Sequence, residues 1–337
     1  MKCKLICLLL ASLLLGCSKK ALHPVAASIP EIEEINGIQA EARSLFETKD
    51  FDKLDALAKG FRDSGASYPD GEWKLFYFYE ALEVPEDADA SEWSSHFQTM
   101  TNWITARPNS ITARVALADE WITYAWAARG HDYIDNTSDQ GQMLFAERLG
   151  EAEKVLNAGG KINGTCPEWW LAALRTELGL PISRQQYDAT FNQAIKAWPN
   201  YPHFYFARAN YLLPRWNGAD GELESDLEES ANKIGGDAGD ILYVQVIWNV
   251  HHSIYSHNVF EEYKLSWDRA HRGLEALEKL HPNDIRIENE AAHLAMLAHD
   301  ADAAKRYFDQ TAGQVDTYCW SLDEYSSAAQ VLYGDKQ

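Results

Sequence analysis

The sequence predicts an all-α fold, and three features carry that prediction. Apolar residues recur at spacings of three and four, as on the buried face of a helix, in segments such as 111–129 and 143–157. Short breakers separate these segments: Pro199-Asn200, Gly235-Gly236 and Pro282-Asn283. Alternation of period two, which indicates a half-buried strand, is hard to find over more than four residues. We therefore expect helices joined by short turns over residues 36–335.

Individual helices follow from the same spacing and from capping signals. The segment after Ser256 keeps the three-and-four spacing without a break, which predicts one long helix with the apolar seam Phe260, Tyr263, Trp267, Ala270, Leu274 and Leu277. Ser183 with Gln186, and Ser321 with Glu324, have the spacing of capping boxes and predict helix starts.

The first sixteen residues have a different character. Lys2 and Lys4 precede an apolar run from Leu5 to Leu15. This run is shorter than the roughly 20 residues of a membrane-spanning helix, but it suits the apolar stretch of a secretory signal peptide. The tetrapeptide Leu14-Leu15-Gly16-Cys17 resembles the bacterial lipobox, which implies cleavage before Cys17 and a diacylglyceryl thioether on that cysteine. The alternative is an ordinary signal peptide cut near Gly16, with Cys17 incidental.

The lipobox resemblance implies a tether and a location. Stable anchoring takes at least two acyl chains, and a diacylglyceryl cysteine supplies them. Ser18 stands where lipoproteins retained at the inner membrane of enteric-type bacteria have Asp, so we expect the outer membrane, with the body facing the periplasm. Residues 17–35, which include Pro24 and Pro30, are expected to form the lipidated N-terminus and a linker.

Composition limits the partners. Residues 1–16 contain two lysines and no acidic residue, so their removal shifts the formal charge from −21 to −23. Such a surface repels nucleic-acid phosphates and anionic headgroups. We expect no nucleic-acid binding, while a basic protein partner stays open. Cys166 and Cys319 could pair in an oxidising periplasm only with Cα atoms within about 7 Å. Two buried free thiols are the favoured state.

A spacing recurs three times along the chain. Two residues three apart precede a proline by five, and a small residue follows ten later: Met100, Trp103, Pro108 and Ala118; Phe191, Ala194, Pro199 and Ala209; Leu274, Leu277, Pro282 and Ala292. This resembles the tetratricopeptide repeat, as do Ala304 and Phe308 after the last copy. The prolines are 91 and 83 residues apart, so the repeats are degenerate. Helix pairs bury their apolar faces only against the next pair, so we expect seven or so pairs in one curved α-α solenoid.

Longer segments resemble one particular family. They are 110–130 (SITARVALADEWITYAWAARG), 141–156 (GQMLFAERLGEAEKVL), 166–179 (CPEWWLAALRTELG), 204–222 (FYFARANYLLPRWNGADGE) and 239–248 (GDILYVQVIW). The family is an uncharacterised bacterial one, domain of unknown function 4034, and the resemblance covers most of residues 40–315. It implies tetratricopeptide-like helices and supplies no activity.

Two places suggest binding residues. Arg215 follows Pro214 and precedes Trp216 and a Gly turn, and guanidinium groups suit both carboxylates and aromatic faces. The alternative is structural: Arg215 pairs with Glu222 or Glu224 and holds the loop. Trp126 and Arg129 lead into the polar loop Gly130–Gly141, and long loops often carry function. The proposed ligand contacts are Trp126, Arg129, Tyr205, Tyr211, Arg215, Trp216 and Glu222.

Motifs for catalysis and metal binding are missing from the sequence. His251, His252 and His257 lack the spacing of a zinc site, and Asp132, Asp135 and Asp139 lack that of an EF-hand. We find no nucleophile elbow, phosphate loop or Cys-x-x-Cys, so we predict no catalytic residue, metal or cofactor. The first hypothesis is a membrane-tethered, non-enzymatic protein that binds a protein or peptide. The second is a binding lipoprotein for a carbohydrate or other small ligand, and a hydrolase ranks third.

Overall fold

The structure is a computed structural model that describes residues 24–130, 137–253 and 258–334. The predicted signal peptide and Cys17 lie outside these residues, as do His257, Asp132 and Asp135. Within the described part of the chain the protein is helical apart from turns, one 3₁₀ turn at Gly160–Ile162 and two strands of two residues each. The predicted all-α fold class is confirmed.

The helices of the described residues are numbered here in chain order. They are α1 (Pro30–Glu47), α2 (Phe51–Ser64), α3 (Lys74–Glu80), α4 (Ala90–Ala106), α5 (Ile111–Arg129), α6 (Asp139–Asn157), α7 (Pro167–Gly179), α8 (Arg184–Ala197), α9 (His203–Tyr211), α10 (Glu222–Ile234), α11 (Gly236–Ser253), α12 (Val259–Tyr263), α13 (Trp267–Leu280), α14 (Ile285–Leu297), α15 (Ala301–Thr311) and α16 (Leu322–Tyr333). The strands are β1 (Val25–Ala26) and β2 (Gln314–Val315).

Successive helices form pairs, as in a helical-repeat protein. The described pairs are α1/α2, α5/α6, α7/α8, α9/α10, α11/α13 and α14/α15, with α16 packed on the last one. Helix α3 packs instead on α1 and α2, and α4 packs on α5. The first helices of neighbouring pairs also contact one another, in the order α5, α7, α9 and α11. These first helices therefore form an inner layer, and the second helices lie outside them.

The three recurring prolines correspond to one turn geometry. The residues before them, Arg107, Trp198 and His281, cap α4, α8 and α13 with φ of −134°, −136° and −130° and ψ of 70° in each case. Proline disfavours the helical conformation in the residue that precedes it, so each helix ends there. The small residues that follow are buried where helices cross, with Ala118 and Ala292 fully inaccessible. The sequence spacing thus reflects a recurring backbone structure.

Two predicted boundaries are corrected by the structure. Helix α1 begins at Pro30, so the proposed linker 17–35 includes the first turn of a helix, with proline at its start. The long helix predicted after Ser256 is two helices, because Lys264 adopts φ of 47° and the Ser266 hydroxyl accepts a hydrogen bond from the Arg269 N–H and caps α13. Of the two predicted capping boxes, only Ser321 with Glu324 has both reciprocal hydrogen bonds. Ser183 accepts a hydrogen bond from the Gln186 N–H without the return bond.

The first and last pairs meet. Strand β1 runs parallel to β2, with the Val25 N–H donating to the Gly313 carbonyl at 2.9 Å and the Ala27 N–H to the Val315 carbonyl at 2.8 Å. Since β1 lies just before α1 and β2 just after α15, this pairing joins the ends of the helical array. No helix in the described ranges is long and apolar enough to pass through a bilayer.

The segment between α2 and α3 crosses to the opposite side of the array. The Trp73 indole N–H donates to the Asn200 carbonyl at 3.2 Å, and the Gln245 amide donates to the Asp70 carbonyl at 2.6 Å. Gly71 has φ of 91°, and a Cβ there would overlap the Gln245 side chain, so this approach requires glycine. The crossing segment, residues 65–73, therefore brings its polar side chains against α9, α11 and α14.

Candidate binding site: an acidic interior

Buried ionisable side chains lie on the inner layer of helices. Charged groups are rarely buried without partners, yet eight buried ionisable side chains occur on α5, α7, α9 and α14: the acids Asp119, Glu120, Glu168, Glu288 and Glu290 and the bases Arg114, His203 and Arg208. Several are paired, for example His96 with Glu120 across 2.8 Å. The Tyr201 hydroxyl donates to Glu168. The interior of the array is therefore polar and carries more acids than bases.

A cavity of about 290 Å³ lies in this interior. It is bounded by the crossing segment, α3, α9, α11 and α14, with Leu277 of α13 on one side. Aromatic rings form part of the wall: Phe76, Tyr77, Phe206 and Trp248. Its charged lining consists of Asp70, Glu72, Glu80, His203, Arg286 and Glu290, and we call it the acidic cavity. Pockets with a few polar groups among aromatic walls are the usual form of small-ligand sites.

Two ion pairs set the charge on one side of the acidic cavity. Glu72 Oε2 lies 2.8 Å from His203 Nε2. Burial opposes charge on both groups, but their mutual attraction outweighs it, so the pKa of Glu72 is lowered and the pKa of His203 is raised. Asp70 Oδ2 lies 2.8 Å from an Arg286 terminal nitrogen. Burial outweighs the attraction of Arg286 here and raises the pKa of Asp70 to about 6.

Glu290 has a different environment from the other acids. Its side chain is 7% exposed, and among the described residues it makes no hydrogen bond or ion pair. Burial and the nearby Asp70 raise its pKa well above the ordinary value, while Arg286 counteracts them. Two nitrogens of Arg286, Nε and Nη1, are also buried without a hydrogen-bond partner. A buried polar group in this state costs free energy that a bound ligand could recover.

A second, larger opening lies between α1, α4 and the connection that follows α3. Helix α3 has seven residues and packs on α1 and α2, and the connection from Ala81 to Asp89 leads from it to α4. The resulting groove has a volume of about 1050 Å³ and is open to solvent. Its lining mixes apolar residues with both signs of charge: Phe46, Val84 and Pro85, then Arg43, Lys49, Glu47, Asp87 and Glu92. We call it the α1–α4 groove.

Three of the predicted ligand contacts form one packed cluster. The Trp126 and Trp216 rings lie edge to face at 5.6 Å, and the Arg129 guanidinium is 4.9 Å from the centre of the Trp216 ring. Arg129 is also 5.6 Å from the Phe145 ring. The side chains singled out in two distant segments are therefore neighbours. Their mutual packing favours the structural interpretation of this cluster over a ligand site.

The predicted pairing of Arg215 with Glu222 or Glu224 is wrong. Glu222 instead pairs with Arg184 and accepts a hydrogen bond from the Ala219 N–H at 3.0 Å at the start of α10. Because these two donors occupy the Glu222 carboxylate, Arg215 is left exposed, and its nearest acceptor is the Asn210 amide oxygen at 3.5 Å. Arg215 does not fix the loop.

Tyr211 and Tyr205 are core residues rather than groove residues. Tyr211 is stacked on Tyr187 at 3.6 Å, with Arg184 5.2 Å from its ring. Tyr205 packs edge-on against Phe191 at 5.5 Å. None of the seven predicted contacts lines the acidic cavity or the α1–α4 groove.

The residues of the acidic cavity were missed by sequence reasoning. One signal was present: Arg286 and Glu290 lie four apart on a helix whose other positions are apolar or small apart from Glu288, Asn289 and His293. A charged pair on a helix buried on most sides needs partners in the interior. The identity of the partner of Arg286, Asp70, could not be inferred, because the crossing segment has no helical periodicity.

The described residues include two cysteines and several potential metal ligands. Cys166 and Cys319 are buried free thiols, as the sequence favoured. Cys166 lies 3.7 Å from the Tyr79 hydroxyl, and Cys319 lies 3.6 Å from His293 Nδ1. Across residues 24–130, 137–253 and 258–334, no three His, Cys, Asp or Glu side chains are grouped to hold a metal ion.

The fold and these two openings define an all-α helical-repeat protein with an acidic interior. Residues 38–174 match the family model described as Domain of unknown function (DUF4034). The family predicted from the sequence is thereby confirmed over those residues, which run from α1 into α7 and include the crossing segment and the α1–α4 groove. The resembling segments 204–222 and 239–248 lie outside the matched range. No curated protein and no solved structure matches the chain.

Proposed function

We propose that the chain is a lipoprotein, tethered to the outer membrane through lipid on Cys17, whose helical body binds a protein or peptide in the periplasm without catalysing a reaction. The observation that carries the binding half is the α1–α4 groove. Its volume of about 1050 Å³ is at the upper end of ligand pockets and suits several residues of an extended chain. The lipobox-like tetrapeptide ending at Cys17 carries the other half.

The composition of the groove suits a peptide. Phe46, Val84 and Pro85 offer apolar surface for side chains of the partner, and charges of both signs stand beside them. Arg43 and Lys49 can meet carboxylates, while Asp87 and Glu92 can meet amines. A peptide main chain and mixed side chains use all of these groups, whereas a fatty acid or a simple anion would use only some.

The binding half is tested by site-specific photo-crosslinking in cells. A benzophenone amino acid replaces Ser95, an exposed residue of α4 that lines the groove, and a matched variant carries it at Ser94, exposed on α4 outside the groove. We expect an adduct with a discrete protein or peptide from position 95 and none from position 94. Equal adducts from both positions, or none from either, would remove the groove from consideration.

The anchor is tested separately. Cys17→Ala should remove the acyl attachment, so the chain should lose incorporation of an alkyne-tagged fatty acid and leave the membrane fraction. If the Cys17→Ala chain stayed in the membrane fraction after a high-salt wash, the proposed lipid tether would be refuted, whether or not a partner is crosslinked in the groove.

A second candidate function, binding of a small ligand, is favoured by the acidic cavity. Its volume of about 290 Å³ suits a small molecule or one side chain rather than a folded partner.

A further inference from the structure

We propose that the acidic cavity is a binding site for a small organic cation that carries ammonium groups. This inference concerns a different part of the molecule from the α1–α4 groove and does not depend on the lipid anchor.

The charge of the lining selects a cation. Four acids face the cavity against three basic side chains, Arg286, His203 and His252, and burial lowers the pKa of His252, which disfavours its charged form. The acids are Asp70, Glu72, Glu80 and Glu290. Arg286 pairs with Asp70 through one terminal nitrogen and His203 pairs with Glu72, both at 2.8 Å, while two further nitrogens of Arg286 have no hydrogen-bond partner. Among the described residues, neither Glu80, which accepts a hydrogen bond from the neutral Gln39 amide at 2.8 Å, nor Glu290 forms an ion pair with a base. The acids therefore outnumber the charged bases, and a bound anion would add to the repulsion.

Glu290 is the group that points to a missing partner. The Glu290 carboxyl is only 7% exposed and has no hydrogen bond or ion pair among the described residues, so its charged form is unfavourable in the empty cavity and burial raises its pKa. An ammonium group donates three hydrogen bonds and carries a full charge. Placed at Glu290, it converts this unpaired group into a charge-assisted pair.

The walls suit an alkylammonium rather than a metal ion. Trp248 and Tyr77 line the cavity, and aromatic rings attract cations. Phe206 and Val244 offer apolar contact for a short methylene chain. The acids in the described part of the chain are not grouped as metal ligands. Glu80, at the exposed end of the lining, accepts a hydrogen bond from Gln39 through Oε2 and keeps Oε1 for a second ammonium group, so a short diamine can reach both Glu290 and Glu80.

The test uses the detergent-solubilised full chain and putrescine as the probe, with the diol of the same carbon number as the neutral control. Isothermal titration at constant ionic strength should give saturable, one-to-one binding of putrescine and no binding of the diol. Equal binding of both, or binding of neither at millimolar concentration, would overturn the proposal.

A matched pair of variants locates the site. Glu290→Gln and Glu288→Gln change the same chemistry on α14, and both residues are 7% exposed, but only Glu290 lines the cavity. We expect putrescine to bind at least about tenfold more weakly to the Glu290→Gln chain and unchanged to the Glu288→Gln chain. Without ligand, Glu290→Gln should leave the melting temperature nearly unchanged at neutral pH, because burial raises the pKa of Glu290 and glutamine is a neutral side chain of the same shape as the protonated acid.

Equal weakening by the two variants would show that binding does not depend on this cavity and would overturn the proposal. A lower melting temperature of Glu290→Gln without ligand would assign Glu290 a structural role and would have the same consequence. If Glu290→Gln failed to fold, the comparison of putrescine with the diol on the unaltered chain would still decide. Crosslinking at Ser95 does not depend on any of these outcomes. Failure of the cation proposal therefore leaves the proposed peptide binding in the α1–α4 groove unaffected, and failure of peptide binding leaves the cation proposal unaffected.

Discussion

Arg215 and Trp216 are adjacent in the chain and have opposite environments. The Trp216 ring lies edge to face against Trp126, and Arg129 stands over it at 4.9 Å. Arg215 extends into solvent, with one weak contact to Asn210 at 3.5 Å. For Arg215 and Trp216, the contribution of a side chain to the free energy of unfolding therefore depends on the groups that it contacts, although both residues belong to the same sequence motif.

Trp216→Ala should therefore destabilise the protein and Arg215→Ala should not. Removing the partly buried indole also removes its contacts with Trp126 and Arg129, and we expect a loss of about 2–4 kcal/mol in the free energy of unfolding. An exposed residue without strong partners changes it by about 0.5 kcal/mol or less. Urea denaturation followed by circular dichroism measures both. Equal losses would contradict the packing described for Trp216.

Long-range pairs explain why the acidic cavity was not predictable. Asp70 meets Arg286, and Glu72 meets His203. Neither pair has a sequence spacing that marks it, since side-chain pairs can be read locally only at three or four residues within a helix. By contrast, Trp126 with Arg129 is such a local pair, and both residues were identified. Their contact with Trp216 joins distant parts of the chain, so local sequence spacing does not predict it.

Among the elements, two interhelix turns have the same geometry at opposite ends of the array. After α1 and after α14, Lys49 and His299 both adopt φ of 57°, and Asp50 and Asp300 then cap the next helices. In both turns the aspartate N–H donates back to the preceding helix, at 2.9 Å from Asp50 and 3.0 Å from Asp300. The left-handed residue is thus a non-glycine in each, which costs free energy.

Lys49→Gly should stabilise the protein despite the flexibility of glycine. The left-handed conformation at this helix end favours glycine, and Lys49 is exposed, so we expect a gain of about 1 kcal/mol. Gly65→Ala is the reverse control, because Gly65 has φ of 58° and a Cβ would lie 3.2 Å from the Trp73 ring. It should lose about 1–2 kcal/mol. Thermal denaturation tests both, and a destabilised Lys49→Gly chain would refute the turn assignment.

Most helices were predictable, and the exceptions have a local cause. The helix expected over 111–129 is α5, because both its apolar stripe and its Ser110 cap are local. The break between α12 and α13 escaped prediction, since the apolar seam stays in phase across Lys264 and periodicity does not record a single left-handed residue. Ser266, the N-cap, was the signal available there.

At the level of the whole molecule, the first and last helix pairs are joined by the strands β1 and β2, which have two residues each. Paired helices and their turns were predicted from repeated spacings, but the meeting of the first and last pairs was not. Two residues in each strand are too few to produce a period-two pattern. The consequence is functional: closure surrounds the charges of the inner helices, and the crossing segment completes the wall of the acidic cavity.

Ala27→Pro should loosen this closure, and Ala26→Pro should not. Proline removes the Ala27 N–H that donates to the Val315 carbonyl at 2.8 Å. In a parallel ladder alternate residues bond to one neighbour, so with Val25 and Ala27 donating to β2 the Ala26 N–H points away from it. We expect Ala27→Pro to cost about 1 kcal/mol and to speed hydrogen exchange at the backbone around β2. Exchange read by mass spectrometry separates the two variants. If Ala26→Pro accelerated exchange as much, proline strain rather than the lost hydrogen bond would be responsible, and the strand pair would not be what joins the ends.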